Sequence, residues 1–529
     1  MGFPSISRAP VAGPITVFAL VTAGLLYFHG NRFVVTLDEG IPLDTAQRML
    51  SGQRLYADFF GYMSPGSYWL QELVFRLFGL TFLAGRILPI LWCALQASLV
   101  YRLTYQFTTR GAACLATGFY VAIQLEDPSN ITAKHRWDSA ALALLSVSFV
   151  LDAKLHGGWI RWTLVGVFGC AAALCTPSIG FVLLATFCWL LFEKQFRQAG
   201  LVFGGAAACG APALAWLAAH GEFGAFLDQL RWLSNAHAGV NTMFYGSIMG
   251  GYGKILANGE GLGKLVPLGL AICLALPAIL PVLGIIGLIS EAYRGKLRLG
   301  ERQIFVYLTV IIIAFIAATV PRLCVSMLLY TTALPVVATS IWISRSWPRK
   351  STGLVLALLA VFLGAFVLNF GAESAKGLRV ETVVGPLNAA PEDSPSLAAF
   401  LKKIKPGESL YVHPYMPLLY FVTQAKNPAR FNFLHPGMMS ETDESIVLAD
   451  LTKAPPQWLM YSVWPRSDFL RLFPAGTGKS ERFPRIESWV ESHYDVIEPK
   501  VVLSGYQLLR RRDSASAVSA SLPCHPASL

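Results

Sequence analysis

The sequence predicts a polytopic α-helical membrane protein with a separate C-terminal α/β domain, and three observations carry that prediction. The 529 residues are 54% hydrophobic and only 14% charged, with a mean hydropathy of +0.52, which leaves a soluble protein of that size far too little polar surface. Eleven apolar stretches fall within residues 1–371, each near the roughly 17 to 25 residues that cross a bilayer. After about residue 372 charges return, proline recurs and short apolar runs alternate with helical patterns, which marks an independent domain.

The apolar stretches run approximately 13–30, 82–107, 111–125, 138–154, 161–176, 178–193, 199–219, 264–290, 304–320, 323–343 and 352–371. The opening MGFPSISRAP has no convincing small-residue cleavage site, so Gly13 to His29 reads as a retained first span. Basic residues sort the loops: Arg102/Arg110, Lys154/Arg161, Lys194/Arg197, Arg294/Lys296/Arg298/Arg302 and Arg345/Arg349/Lys350 share one side, expected to be cytoplasmic. The N-terminus is then inside, and the segments 31–81, 126–137 and 220–263 and everything after Gly371 are outside. This bias also accounts for the net charge of +11 without any nucleic-acid partner. Eight of nine cysteines lie in or beside apolar spans, and no disulfide framework or CxxC metal motif is written.

Between the first two spans, Phe33–Leu80 departs from an ordinary loop. It carries the pair Asp38-Glu39 and then a helical pattern with Ala46, Met49 and Leu50 at i, i+3, i+4, opposite Asp44, Gln47, Arg48 and Ser51, with Gly52 as the stop. A second helix opens with Ser64 as N-cap and Pro65 at the first helical position, and repeats apolar residues at Trp69/Leu70, Leu73/Val74 and Leu77/Phe78 before Gly79. Both are expected to lie on the membrane surface. The C-terminal domain, 372–511, reads as helix 396–404, strand 409–413, helix 417–423, helix 442–452, strand 457–463, helix 484–493 and a terminal β-hairpin near 496–509. Residues 512–529 have the composition of a disordered tail.

Three places hold groups with chemical potential. Asp38 or Glu39, at the end of the first span, can act as a general base toward an acceptor hydroxyl, and spacing does not choose between them. The loop QLEDPSNITAKHRWDSA packs Glu126, Asp127, Lys134, His135, Arg136 and Asp138 at a membrane boundary. There Lys134 and the planar fork of Arg136 suit a phosphate and His135 can hydrogen-bond the same group. The plainer alternative anchors Lys134 and Trp137 at the interface and pairs Asp138 with Arg136. Asp, His and Glu in this loop also suit a divalent cation, the one cofactor left open. Arg322, alone between two long spans, needs either a lipid phosphate or a route to the headgroups. The stretch from Arg231 to Lys254 (with Trp232, Asn235, His237, Asn241, Tyr245 and Tyr252) suits sugar contact or an interfacial belt, while His413, Tyr415 and His435 read as ordinary loop polar residues.

The succession of a span ending in Asp38-Glu39, the D-x-A-Q-R-M-L-S-G helix, L-Y-x-D-F and the Ser64-Pro65-Gly66 turn resembles the integral-membrane C-type (GT-C) glycosyltransferases. The nearest likeness is to the bacterial branch related to protein O-mannosyltransferases and the lipid A aminoarabinose transferase. The resemblance implies Asp38 as base with Glu39 beside it, and Asp58, Asp127 and Asp138 as acceptor- or sugar-binding candidates. It implies Arg322 near the donor phosphate, alongside Lys134, His135 and Arg136, whose own chemistry suits that group. The aminoarabinose branch has a lysine shortly before the turn proline, whereas this chain reads Tyr62-Met63-Ser64-Pro65, which argues against aminoarabinose as the sugar.

The expected activity is therefore inverting transfer of a sugar from a polyprenyl-phosphate carrier to a hydroxyl of an envelope glycolipid, polysaccharide or protein, at a bacterial inner membrane. Membrane lipids are the other expected partners. No GxGxxG or Walker loop for a nucleotide is present in the sequence. The alternatives are a transporter or flippase of a lipid-linked solute, which needs ionisable groups in mid-span, and a non-catalytic partner in envelope assembly.

Overall fold

A computed structural model describes residues 11–512 apart from 37, 295–298, 347–348 and 476–481. Lys296, Arg298 and the tail from residue 513 with Cys524 lie outside the described residues. Arg512, assigned to that tail, is anchored instead: its backbone N–H donates to His493 and its guanidinium pairs with Asp495 at 2.8 Å.

All eleven apolar stretches are helical. They form Ala12–His29, Phe82–Phe107, Arg110–Gln124, His135–His156, Trp159–Cys175, Gly180–Phe192, Phe196–Ala219, Leu265–Tyr293, Leu299–Ala317, a broken segment from Val325 to Ser346, and Arg349–Ala375. Among the described residues seven helices are long and apolar enough to cross a membrane alone. The broken segment turns by 72° between Val325–Thr331 and Ala333–Ser346, and Trp159–Cys175 and Pro177–Phe192 are shorter apolar helices. Because lipid is as apolar as leucine, helices in a bilayer associate by close packing at small residues. Trp159–Cys175 and Phe196–Ala219 show this: a Cβ on Gly166 would fall 1.9 Å from the Val202 carbonyl oxygen, and one on Gly205 2.0 Å from that of Thr163.

Two helices follow the first span, Gly40–Leu50 and Pro65–Phe78, as the periodicity predicts. Their settings differ. Pro65–Phe78 keeps Leu73, Leu77 and Phe78 exposed along one stripe and suits a bilayer surface. Gly40–Leu50 does not lie on the membrane, since its apolar residues Ile41, Leu43 and Ala46 and its polar residues Asp44 and Arg48 are all buried. The C-terminal domain covers the face that sequence alone leaves to water. Asn432 donates to Asp44 at 3.1 Å, and Arg48 lies over the Phe59 ring. The approach is so close that a Cβ on Gly40 would fall 1.9 Å from the Leu418 nitrogen. Ser64 and Pro65 occupy the expected positions, although the Ser64 side chain makes no capping bond.

The C-terminal domain is an α/β layer. A small antiparallel pair, β1 (Leu378–Val380) and β2 (Leu387–Ala389), joins it to the membrane helices through a bridge between Arg32 and Asn388. The main sheet contains β3 (Leu410–His413), β4 (Trp458–Tyr461), β5 (Tyr494–Val496), β6 (Val502–Leu503) and β7 (Tyr506–Arg511), in the order β3-β4-β7-β5, with β6 paired to β7. β3 and β4 run parallel, as the helices Leu418–Thr423 and Glu441–Lys453 between them allow. The terminal hairpin turns at Ser504-Gly505, both with positive φ. β1, β2 and helix Arg466–Leu472 are elements the sequence pattern did not predict.

A buried ion pair fixes the end of the first helix. Glu39 and Arg86 are both 0% exposed and make a two-point contact, one arm of which measures 2.9 Å. The Arg86 guanidinium also adjoins His29, whose Nε2 lies 2.8 Å from the Ile131 carbonyl. Glu39, a candidate base from sequence, is thus enclosed in protein with its carboxylate taken up by Arg86.

Breaking a buried pair from one side leaves an uncompensated charge, whereas removing both ends with apolar residues is close to neutral. Glu39→Gln is expected to destabilise the detergent-solubilised protein by about 3–5 kcal/mol, and Glu39→Leu with Arg86→Met to recover most of it in thermal unfolding. A Glu39→Gln protein of wild-type stability that lacks activity would return Glu39 to the chemistry. Gly40→Ala is expected to unseat the C-terminal domain, visible as faster limited proteolysis with the membrane helices still folded.

Candidate active site

Because Glu39 turns inward at the start of helix Gly40–Leu50, its neighbour Asp38 is left exposed. The Tyr415 hydroxyl, 377 residues away in the C-terminal domain, donates to Asp38 Oδ1 at 2.8 Å. Tyr415 is itself held edge-on by Phe433 and His435, and its carbonyl accepts from the Tyr506 hydroxyl.

Tyr62, Lys134, Tyr330, Tyr415 and His435 all lie within electrostatic reach of Asp38. Burial and then the Asp38 carboxylate push the Tyr62 and Tyr415 phenols well above their ordinary range, so both stay protonated donors. Burial alone would lower the Lys134 ammonium, but Tyr330, Asp38 and Asp127 outweigh it and hold Lys134 above its usual value. It donates to the Ser129 carbonyl at 2.9 Å. Burial brings His435 down to about 4. With Nδ1–H donating to the Pro436 carbonyl at 2.9 Å, the ring is neutral near pH 7 and Nε2 keeps its lone pair.

Two arginines complete the site. The Arg136 guanidinium is half-buried, has no hydrogen-bond partner among the described residues, and lies within electrostatic reach of Tyr62, Tyr330 and Arg322. Arg322 is buried rather than extended to headgroups: it is bonded to Asn241, donates to the Leu472 carbonyl at 3.1 Å, and sits beneath the Phe473 ring. Three cations thus converge near one exposed carboxylate. Like charges gathered this closely in a partly dry site favour an incoming anion, and a guanidinium without partners offers a fork for phosphate.

The other candidates lie elsewhere. Asp58 closes a surface turn, accepting from Arg54 N at 2.7 Å and from its guanidinium, which holds the carboxylate below its usual range. Asp127 caps a short turn by accepting from Ser129 N, though it stays near Lys134. Asp138 pairs not with Arg136 but with Trp92 Nε1 at 2.7 Å, tying two helices together. His135 bonds Thr176 at 2.7 Å. Asn130 and Thr132 are buried, so the Asn-Ile-Thr tripeptide is no accessible acceptor. In the long loop, Trp232 packs on Phe60 and Tyr62 beside the site, whereas Tyr245 bonds the Ala278 carbonyl and Arg231 pairs with exposed Asp228. The His237 side chain lies outside the described residues. Among the described residues no three His, Cys, Asp or Glu side chains gather as a cation cage, so the acidic loop does not form one.

Tyr62, Tyr330, Tyr415 and His435 were not singled out as site residues from sequence. Tyr62 stands next to the quoted Ser-Pro-Gly turn, a local signal that could have found it. Nothing local marks Tyr415 or His435, which reach Asp38 only through the docking of the C-terminal domain.

Residues 63–217 match the model of the family described as dolichyl-phosphate-mannose-protein mannosyltransferase. A search of curated proteins finds no sequence match. Among solved structures, ArnT from Cupriavidus metallidurans bound to undecaprenyl phosphate aligns with a TM-score of 0.58 at 13% identity, covering 97% of this chain and 100% of that one. The oligosaccharyltransferase AglB from Archaeoglobus fulgidus, in complex with an inhibitory peptide and a dolichol-phosphate, aligns with a TM-score of 0.50 at 12% identity, covering 93% and 74%. This chain is an integral membrane protein with the C-type (GT-C) glycosyltransferase fold, and its residues 63–217 carry the sequence pattern of the mannosyltransferase family.

Proposed function

We propose that the chain transfers a sugar, with inversion, from a polyprenyl-phosphate donor to a hydroxyl of an acceptor on the extracytoplasmic side of the membrane. The observation that carries this reading is the exposed Asp38 carboxylate, held by Tyr415 and within electrostatic reach of Lys134, with Arg136 and Arg322 gathered around the neighbouring Tyr62. Support for the donor class comes from the undecaprenyl phosphate and dolichol-phosphate held by proteins of this fold. The charge bias of the loops supports an extracytoplasmic position for this end of the bundle.

In this reading Asp38 takes the proton of the acceptor hydroxyl as its oxygen forms a bond to the anomeric carbon. The bond from that carbon to the phosphate oxygen breaks at the same time, and the electron pair leaves with the lipid phosphate. Arg136, with its unoccupied fork, meets the charge that grows there, while Arg322 and Lys134 add to the local potential. Tyr415 aims the base and Tyr62 remains a neutral donor between base and cations. The C-terminal domain therefore contributes to the reaction centre, not only to acceptor capture.

In membranes supplied with labelled polyprenyl-phosphate sugars and an extract of envelope acceptors, Asp38→Asn at equal abundance is expected to lose at least about a hundredfold of the transfer. Equal labelling by both proteins would remove Asp38 as base, and no labelling by wild type with any common sugar would favour transport of a lipid-linked solute. Arg136→Gln is expected to lower kcat by about 10²–10³-fold. Arg136→Lys should retain part of the rate because it keeps the charge and loses the fork. Equal rates for the two variants would mean that Arg136 does not meet the phosphate.

A further inference from the structure

A cavity of about 540 Å³ opens in the C-terminal domain between the start of helix Glu441–Lys453, the start of helix Pro484–His493 and the segment around Trp464. Its volume lies within the roughly 300–1,000 Å³ typical of small-ligand sites. No part of the mechanism above uses it.

Among the described residues, the charges at its wall nearly balance once the pair just behind it is counted. Arg466, Arg482 and Arg485 face it with Glu441 and Glu444, and Arg482 is paired in turn with Glu487 just behind. Glu444 accepts from the backbone N–H groups of Arg485 at 2.8 Å and Ile486 at 3.2 Å, and the Arg485 guanidinium donates to Ser445 at 2.8 Å. Three guanidinium groups and three carboxylates so arranged attract neither a polyanion nor a polycation. They suit a ligand that donates and accepts hydrogen bonds at once, which hydroxyl groups do. Trp464 and Phe483 add flat apolar surface, on which the C–H face of a sugar ring can lie.

The cavity is also coupled to the reaction centre. Trp464 lines it, and the same ring stands edge-on to Tyr415, 6.2 Å between ring centres, while Tyr415 bonds Asp38. One aromatic wall separates the two places.

From this balance of charge, the aromatic surface and the shared wall we infer that the cavity is an acceptor subsite for a neutral saccharide chain. The residue bearing the attacking hydroxyl reaches Asp38, and its neighbours along the chain lie against Trp464 between the arginines and glutamates. The inference rests on the transferase reading for its role, but not for its test. It selects a saccharide among the acceptors that reading allows.

Binding is measured on the full-length protein in nanodiscs by saturation-transfer NMR, using neutral tri- and tetrasaccharides of glucose and mannose, oligogalacturonate as an acidic saccharide, and a Ser/Thr-rich peptide. The neutral oligosaccharides are expected to bind, with affinity falling about tenfold in Trp464→Ala, the scale of one lost stacking contact. The double variant Glu441→Gln/Arg466→Gln, which changes two exposed side chains, should weaken binding severalfold at unchanged thermal stability. Sugar transfer is measured on the same proteins, so that loss of transfer and loss of binding are read separately. Absence of neutral-saccharide binding, binding unchanged in the double variant, or preference for the acidic saccharide or the peptide would each overturn the subsite. A protein that binds the saccharides and transfers no sugar would keep the subsite and lose the transferase reading.

Discussion

The Glu39–Arg86 pair is the contact on which the arrangement of the site depends. It joins the residue before helix Gly40–Leu50 to helix Phe82–Phe107, with His29 at the end of the first span packed against the same guanidinium. A charge buried this completely is tolerated only with a partner in good geometry, and so the chain direction after the first span has little freedom. Two adjacent carboxylates thereby part company. Glu39 is consumed in structure, and Asp38 is left at the surface of the bundle with its own polar partner.

The second constraint is the seating of the C-terminal domain on helix Gly40–Leu50. Phe33, Leu43, Phe75 and Phe82 from the membrane-domain segments share one hydrophobic core with Leu410, Leu418 and Phe421, and Phe75 stacks on Phe421 with 5.4 Å between ring centres. A contact of this kind is rigid because both faces are packed. It brings Tyr415 to Asp38, His435 beside them and the Leu472 carbonyl to Arg322. The neutral His435 and the protonated tyrosines leave Asp38, with Asp127 near Lys134, as the carboxylates that balance the cations at this place.

How far this could be read in advance depends on the range of the interaction concerned. Apolar length shows each of the eleven helical stretches, and the Ser64-Pro65 start shows the second surface helix, because both are local properties of a few turns. The lone Arg322 and the basic loop at Lys134 and Arg136 were visible as charges that need a partner. Asp58, Asp127, Asp138 and His135 carried the same outward signal, yet each is satisfied by a neighbour that sequence spacing does not reveal: Arg54, Ser129 N, Trp92 and Thr176. The first surface helix was read as amphipathic and lipid-bound because its polar face has no visible cover in the sequence, and that cover lies more than 350 residues away.

By itself the sequence determined that the chain is a membrane protein, where its helices fall, that an α/β domain follows them, and that Asp38-Glu39 and the basic loop are the places to look. These follow from hydropathy and periodicity, which act over tens of residues at most. Tertiary structure decided which of the two carboxylates is exposed, which cations gather near it, and that Tyr415 and His435 pack beside it. Those outcomes depend on burial and on the docking of one domain against another, where partners meet across hundreds of residues and leave no pattern in the order of the chain.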